Sequence, residues 1–334
     1  MRELLRSNET IVKCYDAIRK AYYQLYSDEK MIKKRFKKRL DREVELNNPI
    51  KYNDKLQWLK LNWYDPIAAR CADKYEVREI IKEKIGESYL NELIAVYESV
   101  EDIDLDKLPS QFVLKATHGS GYNIICKDKY TMRWDEEFKK MRRWLRTNYY
   151  LSKREWVYKD IKPRIICEKY LSDETGEPPK DYKIFCFNGE PKLIQVDIDR
   201  YKNLRRNIYT LDWEFIELEI KYPSDKSVEI PKPEALDEMI ELSRLLSSDF
   251  PHVRVDFYYI KNKIIFGELT FFHGSGFECF KPEEFEIEMG SWLQLPNKRT
   301  EVIKNETTYH RRGRVHRLSF IEKIIGRRLS SNRH

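Results

Sequence analysis

No apolar run in this 334-residue chain approaches the roughly 18–20 residues needed to span a bilayer. The N-terminal stretch from Met1 to Asn8 lacks the apolar core of a secretion signal. There is no Cys-x-x-Cys pair: the six cysteines (Cys14, Cys71, Cys126, Cys167, Cys186 and Cys279) are scattered, and the six histidines show no metal-ligand spacing. These absences argue against a disulfide framework and a zinc site, and they suit a reduced cytoplasm. Internal repeats and low-complexity tracts are also missing.

What the chain has instead is charge and aromatic rings. Charged residues make up 36% of the chain and hydrophobic ones 41%, with 22 Tyr and 15 Phe, so an ordered, polar globular protein with a substantial core is expected. The net charge of +7 is concentrated at one end: residues 299–334 hold ten Lys/Arg against three Asp/Glu, and the first 298 residues balance to zero. A basic tail of this kind suits either an anionic partner or a solvated segment with a short helix near 318–329. A nucleic-acid partner is not expected, because such proteins carry their charge on the folded body.

The pattern of the chain predicts helix over 9–46, with Tyr15, Ile18, Tyr22, Leu25 and Tyr26 at helical spacing and a densely basic stretch over 30–42 around Met31, Ile32, Phe36 and Leu40. A basic amphipathic helix can lie on a membrane surface or dock on its own domain, and both readings stay open. Asn47-Asn48-Pro49 stops it. Further helices are expected at 53–63, 73–85, 134–149 and 234–248, and strands at 93–97, 112–115, 124–126, 164–171, 182–187, 191–197, 253–260 and 264–270. Asn188-Gly189 marks a two-residue hairpin turn, since both residues tolerate positive φ. The chain closes irregularly through Gly274-Ser275-Gly276 to about Pro296.

The residues that can carry chemistry lie on those strands. Arg254-Val255-Asp256 and Gly267-Glu268-Leu269-Thr270 put two carboxylates on adjacent strands joined by Lys261-Asn262-Lys263. Buried carboxylates are costly unless paired or metal-bound. The pair suits Mg²⁺ on nucleotide phosphates, and equally an ion pair at the end of a hairpin. Lys115 ends an apolar strand just before Thr117-His118-Gly119-Ser120-Gly121, where glycines let backbone N–H groups approach phosphate. This is not a Walker A motif, because no helix-opening Gly-Lys-Ser/Thr follows. Lys74 follows Asp73 at a helix start, and Glu168-Lys169-Tyr170-Leu171 ends a buried strand, with Asp181 and Lys183 on the next one. Asp197-Ile198-Asp199 has the pattern that glycosyltransferases use to hold Mn²⁺ and a sugar nucleotide, and such a short pattern also recurs by chance among 56 acids.

Taken together, Asp73-Lys74, Val113-Leu114-Lys115 with its glycine loop, Glu168-Lys169-Tyr170-Leu171, and Arg-x-Asp followed twelve residues after Asp256 by Glu-x-Thr resemble the ATP-grasp fold. More narrowly, Tyr52-Asn53-Asp54-Lys55-Leu56-Gln57-Trp58, residues 112–121, Asp181-Tyr182-Lys183 and Gly267-Glu268-Leu269-Thr270 are similar to the TupA-like ATP-grasp proteins, named after a teichuronopeptide biosynthesis protein. The resemblance covers about residues 45–296. It implies an α+β fold in which two α/β subdomains clasp ATP, with an N-terminal helical region and a basic C-terminal tail outside it. The expected division is 1–46, a basic helical extension; 47–110, a helical part of the nucleotide-binding region; 111–166, a glycine-loop subdomain; 167–296, a C-terminal subdomain with the metal site; and 297–334, the tail.

Residue by residue, the resemblance implies that Lys74 and Lys115 bind nucleotide phosphates under a flap of Gly119, Ser120 and Gly121. Glu168, Lys169 and Leu171 would form the adenine pocket, and Asp181 and Lys183 would lie beside it. Asp256, Glu268 and Thr270 would hold Mg²⁺. Arg254, Lys115 and His118 would act on the phosphoryl group, and Asp197, Asp199, Arg200, Arg206 and His273 would face the acceptor. The related ligases have Asn where Thr270 stands, which leaves the second metal open. The implied activity is an ADP-forming carboxylate–amine ligase that amidates a carboxylate-bearing sugar or glycan of a cell-surface polysaccharide. The expected location is the cytoplasm, and membrane contact through the basic helix or tail stays an open alternative. A sugar kinase on the same fold, the glycosyltransferase reading and a non-catalytic assembly protein are the alternatives.

Overall fold

The computed structural model describes residue 14 and residues 17–18, 21–173, 176–198 and 203–297. Asp199, Arg200 and the expected tail beyond Asn297 lie outside them.

Helix α1 (Asp28–Leu40) is local chemistry made visible. Ser27 caps it by accepting the Lys30 N–H at 3.3 Å, acids occupy its first turn and bases its last, and Asp41 ends it in the left-handed region at φ 53°. The helix expected over 9–46 is therefore interrupted at Ser27 and stops at Leu40. Met31, Ile32 and Phe36 are buried, with Phe36 edge-on to Phe277 at 6.2 Å, so α1 docks on its own domain.

Helix α2 (Tyr52–Asn62) buries Tyr52, Leu56 and Leu59 on one stripe, but Asn53, Asp54, Gln57 and Lys60 are buried too. Helices α3 (Pro66–Ala72) and α4 (Val77–Lys84) follow. The sequence pattern missed α3, where Asp65 caps and Pro66 opens a seven-residue helix too short to show a periodic stripe.

A four-stranded antiparallel sheet is ordered β1 (Leu93–Tyr97), β4 (Ile165–Lys169), β2 (Phe112–Ala116), β3 (Asn123–Cys126). It straddles the expected boundaries at 110/111 and 166/167. Register places Phe112, Leu114, Ala116, Ile165, Cys167, Ile124 and Cys126 on one apolar face. That face shares a core with Met141 of α5 (Trp134–Arg146). The opposite face carries Lys115, Ile166 and Glu168. A short helix, α6 (Tyr150–Lys153), follows α5.

The larger sheet has six strands in the order β11 (Lys263–Thr270), β10 (His252–Ile260), β5 (Asp181–Phe187), β6 (Glu190–Ile198), β7 (Arg205–Tyr209), β8 (Phe215–Ile216). Both hairpins turn as their residues require: Asn188 and Gly189 have φ 49° and 86°, and Lys261 and Asn262 have φ 49° and 60°. A small pair, β9 (Glu219–Ile220) with β12 (Phe280–Lys281), was not expected from sequence. Val253, Val255, Phe257, Ile184, Cys186, Ile194 and Val196 share one face of the large sheet. They form its core with Leu236, Met239, Leu242 and Leu246 of α7 (Leu236–Ser247). The other face carries Arg254, Asp256, Lys183, Asp181 and Arg206, all buried, and half-buried Asp197. Helix α8 (Glu284–Trp292) closes the described chain.

Candidate active site

A cleft is lined from the small sheet by Lys115, Ile166 and Glu168, from β11 by Phe266 to Leu269, and from the α3–α4 region by Lys74 and Arg78. Strand alternation turns Lys115 toward it, because its neighbours Leu114 and Ala116 face the core. Lys115 Nζ donates to Glu168 Oε2 at 2.6 Å, and Arg78 donates to Glu168 Oε1 at 3.1 Å and to the Asn91 carbonyl at 2.8 Å. Arg78 was not singled out in the sequence. It lies on the segment expected as helix over 73–85, but the helix begins only at Val77, so Lys74 precedes it in a turn and Arg78 stands in its first turn.

Lys74 is held at its position by Asp73, whose carboxylate accepts the Tyr75 N–H at 2.8 Å. Its Nζ donates to the Gly119 carbonyl at 2.9 Å and lies 3.7 Å from Glu268 Oε2. One lysine thus links the glycine loop of the small sheet to a carboxylate of the large one. Gly119 has no room for a side chain, since a Cβ would meet the rings of Tyr122 and Tyr149 at 2.9–3.0 Å, and Gly121 has φ 76°.

Asp256 and Glu268 face each other in register across β10 and β11. A bulge directly beside them leaves Gly267 as the extra residue, and a Cβ there would fall 2.9 Å from the Asp256 carbonyl oxygen. Arg254 grips Asp256 with two bonds, Nε to Oδ1 at 2.7 Å and NH2 to Oδ2 at 2.6 Å. Lys183 lies 3.4 Å from Asp256 and 2.7 Å from Asp181. Burial raises the Asp256 carboxyl above its ordinary value despite Arg254 and Lys183. At Glu268 burial also pushes upward, but Lys74, Arg254 and Lys183 prevail and hold it down to about 2, so it stays ionised. Thr270 Oγ1 donates to Glu268 at 3.1 Å and accepts from Arg254 at 3.2 Å.

The expected acceptor residues join this cluster from behind. Arg206 donates to Asp197 at 2.9 Å and to Glu278 at 3.2 Å, and His273 lies 2.6 Å from Arg254 and 2.9 Å from Glu278. Arg254, His273, Glu278, Arg206, Asp197, Lys183 and Asp256 form a closed ring of polar contacts, with Lys183 and Asp197 the longest link at 4.0 Å. Glu278 was not expected from sequence, where it stands alone after Phe277. Burial would raise Asp197, yet Arg206 and Lys183 lower it.

Other expected residues sit apart. His118 is buried with its Nε2 2.8 Å from the Trp144 carbonyl, and burial lowers its pKa, so its ring belongs to the packing of the loop beside Tyr122. Ser120 is exposed, and Lys169 points to solvent, 3.1 Å from Glu92. Leu171 is half-buried and does not line the cleft.

For a divalent cation, the donor set is two carboxylates and one hydroxyl. Among the described residues no group of three or more His, Cys, Asp and Glu could hold a metal ion. Hard oxygen donors in this number fit Mg²⁺, which is held by one or two carboxylates together with substrate phosphates. Arg254 already occupies both Asp256 oxygens, so Glu268 offers the more open coordination face.

Comparison with known proteins adds the family. A family model described as TupA-like ATPgrasp matches residues 54–294, most of the chain. Solved structures with a similar fold include D-alanine–D-alanine ligase from Bacillus anthracis in complex with ATP, with 15% identity, 60% of this chain and 55% of that chain covered, and a TM-score of 0.37. The Helicobacter pylori D-alanine–D-alanine ligase shows 16% identity, 67% and 61% coverage and a TM-score of 0.35. The ATP-grasp ligase PsnB with its minimal precursor shows 10% identity, 65% and 60% coverage and a TM-score of 0.35. The matched part is less than two thirds of each of those chains. No curated protein matches this chain.

Proposed function

The chain belongs to the TupA-like ATP-grasp family, and on that premise we propose that it is an ATP-dependent carboxylate–amine ligase forming ADP through an acylphosphate. The observation that carries this reading is the convergence of Lys74, Lys115, Glu168 and Glu268 on one cleft from three separate parts of the chain. In the reaction a substrate carboxylate oxygen attacks the γ-phosphorus and ADP leaves. An amine then attacks the acyl carbon and inorganic phosphate leaves.

The residues supply position and charge. Lys74 and Lys115 exchange their present carboxylate partners for phosphate oxygens. Glu168, relieved of Lys115, accepts from the exocyclic amine of the base while keeping Arg78. The backbone of residues 119–121 covers the phosphates and keeps water from the acylphosphate, which hydrolyses readily. Mg²⁺, held by Glu268 and Asp256, would neutralise charge on the phosphates. Arg254, 3.6 Å from Glu268, would meet the transferred phosphoryl group.

The acceptor we propose is a uronic-acid or related carboxylate in a cell-surface polysaccharide, a reading supported by the family resemblance, and the location we propose is the cytoplasm. No helix among the described residues is long and apolar enough to cross a membrane. The glycosyltransferase alternative is weakened by Asp197, whose Oδ1 accepts from both Arg206 and Gln195 at 2.9 Å.

Thermal denaturation with MgATP tests the nucleotide site. At about 100 times Kd a ligand adds roughly 2.7 kcal/mol of stability, and that gain should disappear in Glu268→Gln. A UDP-sugar that stabilises where MgATP does not would overturn the assignment. Hydroxylamine, as a generic amine, tests the chemistry: uronic acids with MgATP should yield hydroxamate and ADP together. A stable phosphate ester instead would make the enzyme a kinase.

A further inference from the structure

His273 opens a turn, residues 273–276, in which Gly274, Ser275 and Gly276 all have positive φ, at 54°, 58° and 63°. Consecutive left-handed residues are disfavoured in L-chains and persist only where the surroundings impose them. Here Gln57 Nε2 donates to the Ser275 and Gly276 carbonyls at 2.9 and 2.6 Å, Lys60 donates to the Ser275 carbonyl at 2.7 Å, and the Ser275 hydroxyl donates to buried Glu155. A Cβ on Gly274 would fall 2.3 Å from Glu278, and one on Gly276 2.4 Å from Gln57. The turn is built to tight tolerance, and what it presents is His273, only 3% exposed.

The contacts of His273 fix its protonation. Arg254 NH1 approaches Nδ1 at 2.6 Å, and a guanidinium can only donate. Nδ1 is therefore the acceptor, and the ring proton sits on Nε2, which lies 2.9 Å from Glu278 without the alignment of a hydrogen bond. Burial holds the imidazole pKa down to about 4, which agrees with a neutral ring. Glu278 is fixed in turn by Arg206 at 3.2 Å and Lys221 at 3.3 Å.

The guanidinium of Arg254 has five N–H groups. Nε and one N–H of NH2 meet Asp256, the second N–H of NH2 meets Thr270, and one N–H of NH1 meets His273. Among the described residues, a single N–H of NH1 then remains without a hydrogen-bond partner. We propose that His273 is a positioning residue that aims this remaining Arg254 donor at the transferred phosphoryl group. The inference rests on the nucleotide reading above.

A pair of near-isosteric variants of the full chain separates positioning from mere support. In His273→Asn the amide oxygen occupies the place of Nδ1 and keeps Arg254 while losing Glu278. In His273→Gln the amide reaches the place of Nε2 and keeps Glu278 while losing Arg254. Affinities are measured for MgADP and for MgADP with aluminium fluoride, which mimics the phosphoryl group in transfer. Both variants should bind MgADP within about twofold of the wild type, while His273→Gln alone binds the fluoride complex about tenfold more weakly, the scale of one misdirected donor. The inference is overturned if both variants or neither weaken the fluoride complex, if MgADP affinity falls in parallel, or if either variant loses its cooperative melting transition. It is overturned as well if the wild type gains nothing from the fluoride. Failure of the wild type to bind MgADP at all would instead remove the nucleotide reading.

Discussion

At the scale of single residues, the site depends on positions whose chemistry leaves few substitutes. Gly267 places Glu268 opposite Asp256 because its bulge lies against the Asp256 carbonyl. Gly267→Ala should cost about 1–3 kcal/mol through overpacking, read as a lower urea midpoint at unchanged m-value, with weaker MgATP binding. Two buried histidines set a pH dependence. His252 meets the Phe271 carbonyl at Nδ1 and Tyr52 at Nε2, and burial lowers it to about 3, as it lowers His273 to about 4. Both take up a proton near pH 6.5 when unfolded and stay neutral when folded, so the unfolded state binds more protons below that pH. Their contribution is complete above about pH 6.5 and declines as pH falls, by about 1.4 kcal/mol per pH unit for each histidine. Denaturation midpoints measured from pH 7 to pH 5 check this. Asp256 acts oppositely, because burial raises its carboxyl above the ordinary value and it protonates more readily in the folded state.

At the scale of elements, helix α2 defies the usual division into a buried stripe and a wet face. Its polar residues are buried because they serve as hydrogen-bond partners for other segments. Lys60 donates to the Lys153 and Ser275 carbonyls, Asn53 to the Glu278 carbonyl, and Gln57 to the turn at 275–276. Gln57→Leu takes the donor from the Gly276 carbonyl and leaves the Ser275 carbonyl to Lys60 alone, and should cost roughly 1–2 kcal/mol, seen as a lower melting temperature. Strands and turns were legible in the sequence: β1 lies where the apolar run put it, and Asn188-Gly189 turns its hairpin as expected. Helix α1 was legible in its basic and apolar faces but not in its start, because the apolar spacing runs on through Ser27 and only the cap marks the break. The strands at 205–209, 215–216, 219–220 and 280–281 escaped because they are short or charged, and the last two also pair with each other across about 60 residues of chain.

At the scale of the whole molecule, the cleft is closed by its own charges. Lys115 and Arg78 hold Glu168, and Lys74 spans from the Gly119 carbonyl toward Glu268. A polyphosphate entering the cleft competes with carboxylates for the same lysines, and the glycine loop must move with Lys74. Amide hydrogen exchange over 117–123 and 266–269 should therefore slow together on addition of MgADP. In Lys74→Met the two segments should respond separately or not at all.

The sequence by itself singled out the residues proposed above for the nucleotide and metal, Lys74, Lys115, Glu168, Asp256 and Glu268, each from a strand, a glycine loop or a helix start. Those signals are local, set by side-chain alternation and turn chemistry over a few residues. The tertiary structure alone decided which charges satisfy which. It turned Lys169 to solvent and His118 into packing, brought Arg78 across 90 residues to Glu168, and joined His273 and Glu278 to Arg254 and Arg206 in one buried ring. No local pattern carries that information, because a buried charge is stabilised by partners that only the packing of distant segments supplies.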